Sequence, residues 1–218
     1  TSMVACGDAD GAVTGNTRRF GASLEKIEQV VNVRDGEIMF GLNMVVHKGK
    51  TIFVGDTSVH EYPTSEQMAE IAISTARVVR LFGFEPKVAF VSHSTFGQPL
   101  TSRTKHIRKA VDILKDKKVN FEFDGDMQPD VALNSEYEEL YPFSKIVGKA
   151  NILIMPGQHS AAISYKMMKT LGDTKVIGPL LIGLGLPIEI APLRSSTSEL
   201  INLASIAAYS ADIIDYKK

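Results

Sequence analysis

The chain has 218 residues, 44% of them apolar and 22% charged, with 24 lysines and arginines set against 25 aspartates and glutamates. That length carries one large domain or two small ones, and the composition is that of an ordinary globular chain. A net charge of −1 supplies no general pull toward nucleic acid or an anionic membrane, and the one cysteine, Cys6, excludes an internal disulfide.

No stretch approaches the run of ~20 apolar residues that a spanning helix needs, and no basic segment followed by an apolar core marks a signal peptide. With a lone cysteine, a reducing cytoplasmic setting is the expectation. The start at Thr1, without methionine, suggests a piece of a longer polypeptide. Its first residues, TSMVACGDADG, read as a strand running straight into a loop.

GEIMFGLNMVVHKGKTIFVGDT then reads as two strands joined at Lys48-Gly49. Gly49-Lys50-Thr51 looks like the end of a phosphate-binding loop, but the first glycine of that motif falls on Met44, so the match fails. Thr64 and Gln67 form a capping box that opens a helix, with Met68, Ile71, Ala72, Thr75, Val79 and Phe82 at helical spacing and Gly83 as its stop. KVAFVS is a buried strand. The loop HSTFGQPLTS leads from it to a helix with Ile107, Ala110, Val111 and Leu114 on one face. VNFEFDG is another strand, PDVALNSEYEELY a helix with Pro129 in its first turn, and ANILIMP the most strand-like run of all. Ile163 to Leu171 reads as a helix ending at Gly172. Ile177 to Leu186 is apolar and glycine-rich, Pro187 to Leu193 a strand, and Ser195 to Asp212 a helix. Strands alternating with helices predict an α/β protein with a largely parallel sheet, whose ligands sit beyond the strand C-termini.

Several segments carry groups suited to chemistry. Ser94-Thr95-Phe96-Gly97 offers hydroxyls and a glycine ahead of a basic helix, which suits phosphate or a carbonyl; it also reads as a polar loop with Thr101 as the next helix cap. DGDMQPD clusters Asp124, Asp126 and Asp130, but its spacing departs from a calcium loop and reads first as a strand-to-helix turn. The five histidines, His47, His60, His93, His106 and His159, form no metal-ligand pair, and His93 and His159 stand at strand ends. No GxSxG elbow is present, and Cys6 has no histidine close in sequence. Tyr165-Lys166 offers a hydroxyl and an ammonium. APLRSSTSELIN sets Arg194 beside four hydroxyl residues at a helix start. Locally that stretch fits a working active site, a binding site without turnover, or a well-capped helix.

DGDMQPDVAL, GKANILIMP, ISYKMMKTLG, VIGPLLIGLGLP and STSELINLASIAA, preceded by TIFVGDTSVHEYPT and VSHSTFG, follow one another here in the order of phosphate acetyltransferases. The chain resembles that family over nearly its whole length. SHSTFG, RLFGFEPKVAF and YPFSKIVGKANILIMP resemble most the C-terminal phosphotransacetylase-like domain of bacterial NADP-dependent malic enzymes. The resemblance implies a two-lobed α/β fold of the phosphotransacetylase (isocitrate/isopropylmalate dehydrogenase-like) type with mostly parallel sheets. Residues 1–39 and 178–218 would form a first lobe lacking its N-terminal part, and residues 40–177 the second.

Active acetyltransferases carry SRGCSVEDIVN where this chain has PLRSSTSELIN, so Pro192 replaces the catalytic serine, Leu193 the arginine and Glu199 the aspartate. A second catalytic arginine, in the family's TLRPAL segment, falls on Glu25, and the lysine of STKGS falls on Phe96. Losing one preorganised donor to developing charge costs roughly 10²–10³ in rate, so no catalytic residues are assigned. The resemblance instead implies a degenerate cleft that keeps acetyl-CoA or coenzyme A as effector through Thr14, Ser94, Thr95, Gly97, Tyr165, Lys166, Gly178, Arg194, Glu199 and Asn202. NADP and a divalent metal would belong to catalytic domains outside this chain. A homo-oligomer, dimeric through this domain, is expected. The alternatives are a working phosphate acetyltransferase and a structural dimerisation module.

Overall fold

A computed structural model of the chain describes residues 1–213. The opening residues are helical. α1 (Ser2–Cys6) ends at Gly7, whose φ of 81° takes the left-handed cap position. The strand expected there is absent because the ladder position beside the next parallel strand is taken by β1 (Ala12–Gly15), so Ser2–Cys6 closes its own hydrogen bonds. α2 (Phe20–Glu28) follows and buries Leu24 and Ile27.

β2 (Phe40–His47) and β3 (Lys50–Gly55) form the expected antiparallel hairpin. Its two turn residues, Lys48 and Gly49, both have positive φ (47° and 77°), the requirement of a turn that matches strand twist. α3 (Ser65–Leu81) starts on the expected box: the Thr64 side chain accepts from the Gln67 N–H, and the Gln67 side chain accepts from the Thr64 N–H. β4 (Lys87–Val91) and α4 (Ser102–Asp116) follow, with Thr101 and Thr104 capping reciprocally.

β5 (Glu122–Met127) begins later than expected and runs through Asp124 and Asp126, so these carboxylates lie in a strand rather than a loop. α5 (Pro129–Leu133) stops early. Asn134 turns extended, with φ −116° and ψ 118°, and its side chain accepts from the Glu136 N–H to start a separate 3-10 turn at Ser135–Tyr137. The remaining elements are β6 (Ile152–Ile154), α6 (Gln158–Leu171), β7 (Thr174–Ile182), β8 (Ile188–Ala191) and α7 (Thr197–Ile213).

Six strands form one sheet in the order β5-β4-β6-β3-β2-β7, while β1 and β8 pair separately in parallel. Pairings among β3, β4, β5 and β6 are parallel; β2 runs antiparallel to both its neighbours. Alternation sends Phe53, Phe90, Ile152 and Ile154 to a core with α3 and α4, and Val54, Ala89, Val91 and Leu153 to a second core on the opposite face. Both faces of the parallel strands are therefore covered, which explains their continuous apolar runs. β7 spans the expected lobe boundary at 177/178 and belongs wholly to the six-stranded sheet. A third cluster, including Leu24, Ile27, Leu181 and Ile190, joins β7 to α2 and β8.

Candidate functional site: a cleft between the sheets

A cleft of about 440 Å³ opens between the two sheets. One wall is the start of α2 (Arg19, Phe20, Gly21) and the turn after β8 (Pro192, Leu193). The other is the loop after β3 (Thr57, Ser58), the inner face of α6 (Gln158, Ala162, Tyr165, Lys166) and Pro179 on β7.

Asp56 fixes the Thr57–Ser58 loop. Its buried carboxylate accepts from the N–H groups of Gly41 (2.8 Å), Ser58 (2.9 Å), Val59 (3.2 Å) and His60 (2.7 Å), and lies 2.7 Å from His60 Nδ1. Thr57 Oγ1 donates to the Gly41 carbonyl at 3.1 Å. Backbone donors are thereby spent on one anchor, and the loop presents a fixed surface.

Tyr165 is held on the inner face of α6. Burial pushes its phenol above the usual tyrosine range, and the neighbouring Asn43 amide acts in the opposite sense. Asn43 is fully buried. Gly178 makes room for it: φ is 125°, and a Cβ there would lie 2.5 Å from Asn43 Oδ1.

The turn between β8 and α7 turns its polar groups on itself. Ser195 Oγ donates to the Pro192 carbonyl (2.9 Å), and the Arg194 N–H donates to the Asn16 carbonyl (3.0 Å). Arg194 sits in the left-handed region at φ 61°. Ser196 and Glu199 cap α7 reciprocally: the Ser196 N–H donates to Glu199 Oε2 (2.7 Å) and the Glu199 N–H to Ser196 Oγ (3.3 Å). Lys169 on α6 donates to the other Glu199 oxygen at 2.5 Å, and this lysine, followed by the cap, holds the carboxyl down to about 2.

Of the residues implied by resemblance, Tyr165 and Lys166 line the cleft, and Gly178 lies beneath it beside Pro179. Arg194, Glu199, Asn202 and Thr14 do not line it; Thr14 sits in the β1 ladder opposite Ile190. Ser94, Thr95 and Gly97 are buried: Ser94 Oγ donates to the Asp126 carboxylate, Thr95 Oγ1 accepts from the Gln128 N–H (3.2 Å), and the Gly97 N–H points at Asp126 (3.3 Å). Those hydroxyls stitch β4 to β5, whose Asp126 is fully buried. Glu25, expected to put an anion in the pocket, is on an exposed part of α2 outside the cleft, whereas Arg19, the residue before that helix, faces it.

Thr57 and Ser58 were missed, while Gln158 stood at an expected strand end without being singled out as a site residue. The signal for Thr57 and Ser58 was the strand-end rule, which holds for the end of β3 as it does for the ends of β4 and β6. A second cavity, about 460 Å³, collects His93, Arg103, Tyr62 and His159 at the ends of β4 and β6. There the Arg103 guanidinium stands 4.8 Å above the Tyr62 ring, and His159 stacks on the same ring. Among the described residues no group of three or more histidines, cysteines or carboxylates could hold a metal ion.

The family model for phosphate acetyl/butaryl transferases matches residues 1–208. The chain is 47% identical to an NADP-dependent malic enzyme of Rhizobium meliloti over 96% of its own length but 28% of that relative's. It is 32% identical to phosphate acetyltransferase of Bacillus subtilis, over 97% of its own length and 66% of that protein's. A phosphotransacetylase from Streptococcus pyogenes superposes with a TM-score of 0.90 at 29% identity, over 96% of this chain and 65% of that one.

Proposed function

The chain belongs to the phosphate acetyl/butaryl transferase family, and from that premise we propose that it is a non-catalytic, acetyl-CoA-sensing domain of an NADP-dependent, decarboxylating malic enzyme. One observation carries the loss of catalysis. The turn after β8 offers the cleft Pro192 and Leu193, while Arg194 lies outside its lining. No hydroxyl or guanidinium from that turn meets a leaving phosphate, and such donors are commonly the largest catalytic contribution.

The residues present suit an anionic thioester ligand. Arg19 and Lys166 bring positive charge to the cleft, Thr57, Ser58 and Tyr165 bring hydroxyls, and Phe20, Ala162 and Pro179 bring apolar surface. A few convergent polar groups on an apolar wall is the usual make-up of a small-molecule site. The chain spans 28% of the length of the malic enzyme it matches, so malate oxidation, NADP and a divalent metal belong to the parent protein in this reading. Acetyl-CoA regulates that protein only if it binds two global states unequally. Dimerisation through this domain is part of the same proposal.

Arg19 and Lys166 favour a second reading, a phosphate acetyltransferase with a rearranged anion site. Calorimetric titration with acetyl-CoA, alongside a thiol-coupled assay with acetyl phosphate and coenzyme A, separates the two. Saturable binding without turnover is expected. Turnover at the ~1–10³ s⁻¹ typical of enzymes would overturn the sensing reading. An absence of binding at millimolar acetyl-CoA would leave a structural dimerisation module.

A further inference from the structure

Glu189 is the least expected charge-bearing residue in the chain. It sits in β8, is 4% exposed, and makes no ion pair among the described residues. One oxygen, Oε2, accepts the Leu181 N–H at 2.9 Å. β7 is the outer strand of its sheet, so an N–H facing away from β2 has no ladder partner, and Glu189 supplies one. The other oxygen makes no hydrogen bond among the described residues, and Glu189 lines a cavity of about 110 Å³.

A buried carboxylate with no ion-pair partner is driven toward its neutral form. Burial pushes Glu189 up to about 8. The neutral group has one oxygen for Leu181 and one O–H to donate. The cavity walls near it are apolar: Phe82, Leu180, Leu184, Ile188 and Ile206. The titratable groups at the cavity are Arg34, Glu37, Arg77 and Tyr209. Arg77 is bonded to Glu37, Arg34 lies 3.7 Å from the same carboxylate, and Tyr209 donates to the Leu81 carbonyl at 3.3 Å. Arg34 also donates from Nη2 to the Leu184 carbonyl at 3.4 Å.

We propose that this cavity is a binding site for small neutral carbonyl compounds, with an apolar body against the leucine and isoleucine walls and the carbonyl oxygen accepting from the Glu189 carboxyl. Size sets the class. A cavity of roughly 150 Å³ takes benzene, so 110 Å³ suits a body of about six heavy atoms or fewer. The site is separate from the cleft and does not depend on what the cleft binds.

Titration of the whole chain with cyclopentanone, followed through the Leu181 amide resonance, tests the proposal. At pH 6.5 a saturable shift is expected. Glu189→Gln keeps an N–H donor and should bind within about threefold of the parent; Glu189→Met removes the donor and should bind at least about tenfold more weakly. Raising the pH to 9.5 should weaken parent binding at least about tenfold and leave Glu189→Gln unchanged. Cyclopentane, equal in shape without the oxygen, should bind at least about tenfold more weakly than the ketone. A shift that never saturates, equal binding of ketone and hydrocarbon, or pH-independent binding by the parent would each overturn the proposal. The Glu189→Gln and pH comparisons decide it even where Glu189→Met fails to fold.

Discussion

Replacing Glu189 by glutamine should reshape the pH dependence of stability. The folded chain holds the carboxyl proton up to about pH 8, whereas the ordinary value is 4.5. Between those limits the folded state binds more protons than the unfolded one, so stability falls as pH rises. The contribution is complete below pH 4.5 and lost as pH climbs through about 8. Each pH unit is worth about 1.4 kcal/mol, which sets an upper bound of ~5 kcal/mol across the window. Relaxation and water entry will reduce this to ~2–4 kcal/mol. Glutamine keeps the acceptor for the Leu181 N–H and removes the proton equilibrium. Urea unfolding of both proteins from pH 5 to 9 isolates the residue, because titrations common to both cancel in the difference. Glu189→Gln should gain on the parent as pH rises to about 8 and hold that gain above it. A difference that stays flat would refute the burial of an unpaired carboxyl on which this reasoning stands.

Gly178→Ala should cost about 2–3 kcal/mol, because its φ of 125° excludes a side chain and the new Cβ would lie 2.5 Å from Asn43 Oδ1; chemical denaturation measures it. Asp56→Ala should lose about 3 kcal/mol and loosen the Thr57–His60 loop, read as faster amide exchange at Ser58, Val59 and His60, whose N–H groups it now accepts. Lys166→Ala should weaken acetyl-CoA at least about tenfold in calorimetry, while Arg194→Ala, outside the cleft lining, should change it less than about twofold. Glu199→Gln should cost under about 1 kcal/mol, since its pair with Lys169 is largely solvated. Because that carboxyl is held down to about 2, its contribution is present above about pH 4.5 and is lost as pH falls toward 2, the direction opposite to Glu189.

What the sequence disclosed depended on how local the cause was. Thr64–Gln67, Thr101 and Lys48–Gly49 act within a few residues, and each took its expected place. Ser2–Cys6 and Asp124–Asp126 depended on which segments won a ladder partner, which spacing alone does not report. The site divided the same way. Tyr165-Lys166 reached the cleft because one helix face carries both. Ser94 and Thr95 did not, because Asp126, distant in sequence, draws the Ser94 hydroxyl inward. Glu25 and Arg19 show the limit of alignment by motif: a shift of a few residues on α2 exchanges an anion on the surface for a cation in the cleft.

The two walls of the cleft differ in what they leave unspent. On the turn after β8, Ser195 is bonded to Pro192, Ser196 to Glu199, the Arg194 N–H to Asn16, and Glu199 to Lys169 on α6. Acyl transfer needs donors fixed where charge develops, and these donors are fixed on each other. Arg19 on the same wall, and Tyr165 and Lys166 across from it, line the cleft. Contacts that hold a ligand equally in ground and transition states raise affinity without raising rate. A cleft with Pro192 and Leu193 beside Arg19, opposite Lys166, has that character. The Lys169–Glu199 pair ties α6 to α7 outside the cleft lining, so it holds the two helices together without meeting a ligand.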